Sequence, residues 1–547
     1  MALLTDFQQP HLLARRPFIE QWRKAGIHGD WTMLDLIRKG MDAHAGTRLV
    51  FSYNDKVEEV TAGELWRQAG LLAAGLARRG LRAGDTVVVQ MPNCAEGFVV
   101  FLACLWLGLV FVPVVHIYGG SELGFILRRS RAKALVVPGR WRKVDYAVRV
   151  AAAGDLPDLE LIVVVGEGEI PRGVHWSEVM AEKTPPDFHG GQPADICMLN
   201  FTSGTTSEPK GVMHSNASLS AMSLRTPPFN FDFRLGPSFR GGPAGHIGVV
   251  MIMPRPFLHG DEYIHMDQFE AGAALELIDR YQAVRSAGVP THMNALIEKG
   301  NGQVPKSLQW ALLGAQSVPP ELIERLDKMG MRAFRSYGCT EHPCMTSGEP
   351  DDPLDKRANT DGRVVKYSTA RLVDDDGREV PVGEPGEILS MGSQLFTAYL
   401  NPEHNQDAFT ADGFYRTGDI GVMDKEGFLA IVDRKKDIVV RGGENISSRE
   451  VEDLLARHPA VLEAAVVGWP DARLGESVGA FVVLREGRSI NMEEVQKHFS
   501  TLGVAKQKTP EHLVVVPEFT RTGAGKVIKG ELRKMAKDAY KKEKQGA

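Results

Sequence analysis

Residues 97–115 are the most restrictive stretch of this chain, nineteen consecutive positions without a charge. A run of that length has to be covered, either by lipid or by protein. Gly108 and Pro113 interrupt it, and its second half, Leu109 to Val115, is β-branched and strand-like. It therefore reads as a buried helix, Ala95 to Leu107, running into a buried strand, and not as a membrane span.

The flanking residues repeat the theme. Thr61 and Glu64 have the spacing of a capping box, and Leu65, Ala69, Leu72 and Leu76 follow at helical intervals until Gly80. Asp85 to Met91, Ala134 to Val137 and Leu161 to Val165 read as strands, with a helix over Ser121 to Arg131. Strands that are apolar almost throughout, alternating with helices, predict a mostly parallel sheet covered on both faces. After about residue 360 turn-rich strands such as Thr369–Val373 and Gly386–Ser390 alternate with Asp-Gly and Pro-Gly pairs. A compact αβ pattern begins near residue 436. Ser447 and Glu450 open a helix, strands lie near Leu462–Val467, Val478–Leu484 and His512–Val516, and a helix covers about Met492 to Phe499. The expected fold class is α/β, with a domain of residues 1–435 and a small α+β domain of residues 436–547. The lysine-rich tail from Lys526 reads as a solvated helical face.

Bulk composition narrows the partners. A net charge of -5 gives no long-range attraction to nucleic acid or to an anionic membrane. Five cysteines without a C-x-x-C pair suggest neither a disulfide framework nor a zinc site, so a reducing cytoplasm is expected. The N-terminus lacks a basic-apolar-small signal pattern.

The chemistry starts at Thr202-Ser-Gly-Thr-Thr-Ser-Glu-Pro-Lys210, which follows the apolar strand Ile196–Asn200. Glycine lets backbone approach an anion, hydroxyls and amides donate to phosphate oxygens, and Lys210 adds a positive charge. The spacing is not that of a Walker A loop. Continued to Gly-Val-Met-His214, the segment resembles the phosphate loop of the adenylate-forming superfamily: acyl-CoA synthetases, peptide-synthetase adenylation domains and luciferases. Ser207 stands where that family normally has glycine.

Further segments match in order, and the resemblance spans about residues 50 to 540. Tyr337-Gly-Cys-Thr-Glu341 is similar to the family's Y-G-x-T-E. The resemblance implies that Tyr337 stacks on adenine, Thr340 touches the α-phosphate and Glu341 holds Mg²⁺, a hard cation suited to a carboxylate. Gly314-Ala315-Gln316-Ser317 resembles the adenine-edge segment, although glycine is commoner at the second place, and Val289-Pro-Thr291 also fits. In Tyr415-Arg-Thr-Gly-Asp419 the aspartate would accept both ribose hydroxyls. In Asp433-Arg-Lys-Lys-Asp437, Arg434 would contact ribose and Lys436 would be the interdomain hinge. The glycines of Arg441-Gly442-Gly443-Glu-Asn445 would let the pantetheine arm of coenzyme A pass. Lys526, in Arg521-Thr-Gly-Ala-Gly-Lys526, would be the essential lysine of acyl-AMP formation. Thr202, Ser203, Gly204, Thr205, Thr206 and Lys210 would bind the nucleotide's phosphates.

The implied protein is an AMP-forming acid–CoA ligase using ATP, Mg²⁺ and coenzyme A. Its fold is then a large N-terminal domain of layered, mostly parallel sheets with a β-rich subdomain, and a small mobile C-terminal domain. His246, in Pro243-Ala-Gly-His-Ile-Gly248, would close the carboxylate end of the acid pocket, with a structural histidine as the competing role. Gly241, Gly242, Ala244, Gly245 and the small Cys339 would leave room for a medium-chain, alicyclic or aromatic acid. The competing functions are an adenylation enzyme loading a carrier protein, a luciferase-like oxygenase and a non-catalytic nucleotide-binding homologue. The expected partners are small molecules, and the sequence leaves room for a homodimer.

Overall fold

The computed structural model describes residues 9–182, 184–188, 190–202, 209–224, 236–521 and 526–545. The chain forms two compact units. The first takes the chain up to Thr202, Pro209–Thr369 and Ser390–Tyr415, and it contains two large sheets. In one sheet, strands Arg332–Tyr337, Trp310–Leu313, Arg285–Gly288, Ser238–Arg240, Tyr263–Met266 and Arg48–Tyr53 lie side by side and parallel. The core of the other is Ile196–Thr202, Val110–Pro113, Thr86–Val89, Ala134–Pro138, Leu161–Val165 and Gly173–His175, again parallel. Strand Lys210–Ser215 adds antiparallel to Ile196–Thr202, and Ala398–Tyr399 adds antiparallel to that.

Side-chain alternation along the strands shows how the layers stack. Leu49 and Phe51 share a core with Val87, Val89 and Phe111, whereas Val50 and Val88 face two other cores. The shared core also takes in helices Ala62–Arg78 and Ala95–Leu107, which are thus packed between the two sheets. Covered from both sides, Ala95–Leu107 has no residue more than 5% exposed from Phe98 onward. That burial accounts for the uncharged run, and among the described residues no helix is long and apolar enough to cross a membrane. Truncating a side chain such as Phe101 there would cost about 3–5 kcal/mol.

Local signals set the boundaries. The Thr61 side chain caps Ala62–Arg78 by accepting from the Glu64 amide. Gly108, left-handed at φ 67°, stops Ala95–Leu107, so the following strand is only Val110–Pro113 and shorter than expected. Helix Gly120–Ser130 ends one residue before the expected Arg131, which is itself left-handed.

The second unit contains Ala370–Leu389 and the chain from Arg416. Its five-stranded sheet runs Glu444–Ile446, Val439–Arg441, Gly475–Leu484 and Val461–Asp471, with His512–Val515 parallel to Gly475–Leu484. Helices Ser448–Ala456 and Met492–Thr501 contribute Val451, Leu455, Val495 and Phe499 to the core of this sheet. The lysine-rich tail is helical over Lys529–Gln545, but it is not solvated on every side. Leu532 and Ala536 are buried against Trp469, Phe481 and Phe519, and Lys529 Nζ sits 2.6 Å from Glu452 Oε1 and 2.7 Å from Ser448 Oγ. Apolar residues four apart give this helix an inward face that its lysine content conceals.

Two buried histidines make the first unit acid-sensitive. His214 and His265 are fully covered, and burial pushes their imidazoles down from 6.5 to about 4 and about 3. Below pH 6.5 the unfolded chain takes up protons that these two sites refuse, so stability is lost as pH falls from about 6.5. Each costs about 1.4 kcal/mol per pH unit. The two ring nitrogens of His265 hydrogen-bond to no described residue and the ring lies among Phe51, Phe98 and Tyr263, so His265→Phe should shrink the loss of unfolding free energy between pH 7 and pH 5 by about 2 kcal/mol. Urea titrations at the two pH values measure this, and an unchanged loss would refute it.

Candidate active site

Parallel strands of the first sheet end together, and several expected site residues of this unit lie at those ends or on the loops just beyond. Gly314–Gln316 follows Trp310–Leu313, and Tyr337 ends Arg332–Tyr337 with Thr340 and Glu341 just beyond. This is where open α/β sheets take their ligands. Gly314 admits no side chain, because a Cβ would meet Ser336 O at 2.8 Å and Ser336 Oγ at 2.9 Å. Ala315 has φ 63°, the left-handed region that favours glycine, which explains why glycine is commoner at that place.

Strand Lys210–Ser215 reaches three parts of the site. Lys210 faces Thr202 in register, and Thr202 Oγ1 donates to its carbonyl at 3.5 Å. His214, neutral by burial, lies 2.8 Å through Nε2 from the Thr340 carbonyl, to which it donates, with Nδ1 3.3 Å from Ser218 Oγ. On the outer side the strand pairs Val212 with Tyr399 and Met213 with Ala398. Ser203, Gly204, Thr205, Thr206 and Ser207 lie outside the described residues.

Tyr399 OH donates to Glu341 Oε1 at 2.6 Å and stands 3.2 Å from Tyr415 OH. Burial, reinforced by the Glu341 charge, pushes the Tyr399 phenol far above its usual value, so it keeps its proton. Lys210 Nζ lies 4.9 Å from the centre of the Tyr399 ring. The main chain of Glu341 is held too, its carbonyl accepting from Phe396 N at 2.8 Å. Glu341 is 7% exposed, and among the described residues no lysine, arginine or histidine nitrogen lies within 4.0 Å of its carboxylate. A buried carboxylate without a cation suits a divalent ion. No group of three or more metal-ligating side chains occurs among the described residues, so such an ion would share its shell with nucleotide oxygens.

The segment carrying Tyr399 is fastened from below by the first helices of the chain. Arg15 donates to Phe396 O at 2.8 Å and to Gly413 O at 3.0 Å, His11 Nε2 reaches Thr397 O at 3.0 Å, and His28 Nε2 reaches Ser393 O at 2.8 Å. The Arg15 guanidinium is buried over the Phe409 ring, and burial pulls its pKa down to about 9.

Beside these loops is a cavity lined by Phe239, Gly241, Phe269, Gly288, His292 and Leu313. The His292 ring stacks on Phe269 at 3.9 Å, and burial pushes it down to about 4. A second apolar cavity lies against Phe98, Phe111, Ala244, Gly245, Val249 and Met253. His246 caps the short helix Ile247–Val250, its Nδ1 accepting from Gly248 N at 3.1 Å. The structural role weighed for His246 is therefore real. The glycines leave less room than their size suggests: a Cβ on Gly245 would meet Val115 N at 2.3 Å, and one on Gly241 would meet Phe269 Cδ2 at 2.8 Å.

The second unit carries the remaining residues. Asp419 and Arg434 are cross-strand partners, with Arg434 Nε 3.3 Å from Asp419 Oδ1. Lys436 lies just past that strand, and its carbonyl accepts from Arg533 Nη2 at 3.2 Å. Gly442 and Gly443 form a two-residue hairpin turn between Val439–Arg441 and Glu444–Ile446, with φ 60° and 90°. A turn left-handed at both places favours glycine whether or not a ligand passes. Lys526 is exposed, next to Val527, which bridges Arg521.

Comparison with known families settles the kind of protein. The model of AMP-binding enzymes matches residues 38–400, and that of the AMP-binding enzyme C-terminal domain matches residues 450–526. The chain belongs to the AMP-binding enzyme family. The medium-chain fatty-acid–CoA ligase of Escherichia coli is 33% identical over 96% of this chain and 95% of its own length. An anthranilate CoA ligase solved with anthranoyl-AMP superposes with a TM-score of 0.83 at 25% identity, over 93% of this chain and 98% of that one. The o-succinylbenzoate coenzyme A synthetase of Bacillus subtilis, solved with ATP and magnesium ion, gives 0.78 at 25% identity over 92% and 99%. This AMP-binding enzyme is an AMP-forming acid–CoA ligase.

Sequence reasoning missed Tyr399, and it quoted His214 and Tyr415 without giving them work. No local signal marks Tyr399, because its contact with Glu341 spans 58 residues. The strain at Ala315 and the crowding at Gly314 make opposite forecasts for two neighbouring substitutions. Ala315→Gly should be neutral or stabilising by up to about 1 kcal/mol. Gly314→Ala should cost about 1–3 kcal/mol. Thermal unfolding of the two variants checks the contrast, and equal effects would contradict it.

Proposed function

We propose that this AMP-binding enzyme activates an apolar carboxylic acid, of medium chain length or carrying an alicyclic or aromatic ring, and passes the acyl group to coenzyme A. The observation that carries the choice of acid is the cavity between Phe239 and Leu313: among the described residues that line it none is an acid, a lysine or an arginine, and burial pushes the His292 imidazole down to about 4. Such walls favour hydrocarbon and penalise a second charge. The medium-chain and anthranilate ligases among the relatives support the same range.

In the first half-reaction a carboxylate oxygen attacks the α-phosphorus of ATP and pyrophosphate leaves. Tyr337 and Gly314, Ala315 and Gln316 hold the adenine, Asp419 and Arg434 the ribose, and Thr202 to Thr206 with Lys210 the phosphates. Thr340 donates to the α-phosphate, and Lys526 neutralises charge that builds between the carboxylate and phosphorus. His246 closes the carboxylate end of the acid pocket while its other nitrogen caps a helix. Glu341 would hold a magnesium ion on the nucleotide, and that ion would supply charge neutralisation for the triphosphate. In the second half-reaction the thiol of coenzyme A attacks the acyl-AMP carbonyl and AMP leaves, with Gly442 and Gly443 beside the pantetheine arm. The division of labour is between a domain of residues 1–435 and a domain of residues 436–547 turning about Lys436. A cytoplasmic location belongs to the same proposal, supported by five cysteines all present as thiols.

Lys526→Ala separates the two steps. Acyl-AMP formation, read as pyrophosphate release, should fall by roughly 10²–10³. Thioester formation from supplied acyl-AMP should stay within about threefold. Equal loss of both would overturn the role of Lys526. A pyrophosphate-release screen tests the acid: octanoate, cyclohexanecarboxylate and benzoate derivatives should outperform malonate and alanine by at least about tenfold in kcat/KM. A preference for the charged acids would refute the apolar pocket.

A further inference from the structure

The Glu341 carboxylate is gripped at one oxygen only. Oε1 accepts from Tyr399 OH at 2.6 Å, while Oε2 has no hydrogen bond to any described residue. The grip comes from a very well fixed ring. Tyr399 N donates to Asn405 Oδ1 at 2.8 Å, and Asn405 Nδ2 donates back to Tyr399 O at 3.2 Å. Thr397 N and Leu400 N, on either side, donate to Met213 O and Gly211 O, each at 2.8 Å. The ring packs edge-on against Phe396 at 4.9 Å, and its hydroxyl also meets Tyr415 OH at 3.2 Å. Hydrogen bonds to a charged carboxylate are short and strong, and partners behind a ligating group orient it.

We infer that Tyr399 is a positioning residue for the metal carboxylate: its hydroxyl occupies Oε1, fixes the Glu341 side chain, and leaves Oε2 to a divalent cation on the nucleotide. Tyr415 steadies the Tyr399 hydroxyl from 3.2 Å and makes no hydrogen bond of its own to Glu341. Lys210, over the Tyr399 ring, joins the phosphate loop's exit strand to the same support. The inference rests on the proposed role of Glu341 as the metal ligand.

Tyr399→Phe removes one oxygen and keeps the ring, its packing and the Lys210 contact. The direct test is Mn²⁺ binding, followed by electron paramagnetic resonance, to the full chain holding α,β-methylene-ATP. The Mn²⁺ midpoint should rise roughly tenfold in Tyr399→Phe and by less in Tyr415→Phe. In turnover the Mg²⁺ requirement should rise with it, while KM for the acid and thioester formation from supplied acyl-AMP stay within about twofold. Tyr399→Phe within a Glu341→Gln background should add nothing further, since both act on one ligand. A Mn²⁺ midpoint within twofold of the parent in Tyr399→Phe, with Glu341→Gln shifted, would overturn the role of Tyr399 alone. An unshifted midpoint in Glu341→Gln would overturn the reading of Glu341 itself. Thermal unfolding of each variant separates either result from misfolding, and Tyr399→Leu, which loses ring and hydroxyl together, must shift the midpoint at least as far.

Discussion

Strand Lys210–Ser215 is the constraint on which the first unit's site depends. Its backbone is shared between Ile196–Thr202 on one side and Ala398–Tyr399 on the other, and its last turn sends His214 to the Thr340 carbonyl. Four contacts thus leave one short strand: Lys210 opposite Thr202, Lys210 over Tyr399, the ladder to Tyr399, and His214 to Thr340. A one-residue slip of this strand would turn every side chain to the other face and break them all at once. Register, more than any single contact, is what holds Thr340 and Glu341 in place.

How far the sequence revealed this depended on distance along the chain. Helix Ala95–Leu107 and strand Leu161–Val165 were legible to the residue, because a Gly stop and apolar runs are local signals. The strand after Gly108 came out shorter because a left-handed residue and a proline trim its ends. Motif order singled out Tyr337, Thr340, Glu341, Asp419 and Arg434, but not the strands Arg332–Tyr337, Tyr415–Met423 and Leu429–Arg434 that carry three of them. What stayed hidden were partnerships between distant segments: Tyr399 with Glu341, His214 with Thr340, and Arg15 with Phe396. Lys529 was hidden for a related reason, since only tertiary packing reveals that one lysine of a lysine-rich helix is paired inside with Glu452.

Glycines show the limit of reading residue type as purpose. Gly442 and Gly443 serve a hairpin turn that needs positive φ at both places. Gly245 and Gly241 make way for backbone and for Phe269. Ala315 makes the converse point, since it occupies a left-handed position without being glycine.

The anchoring of the Tyr399 segment by His11, Arg15 and His28 also has a bearing on how the chain is made. These hydrogen bonds join residues 365 to 398 positions apart. Closing so long a loop carries an entropic cost, and on a ribosome it must wait until about three-quarters of the protein has emerged. Until then Arg15 has no carbonyl to meet and remains hydrated. The support beneath Glu341 is therefore among the last parts of the first unit to be assembled, and a nascent chain cannot fix the Glu341 carboxylate in place before Arg15 has been met by residue 413.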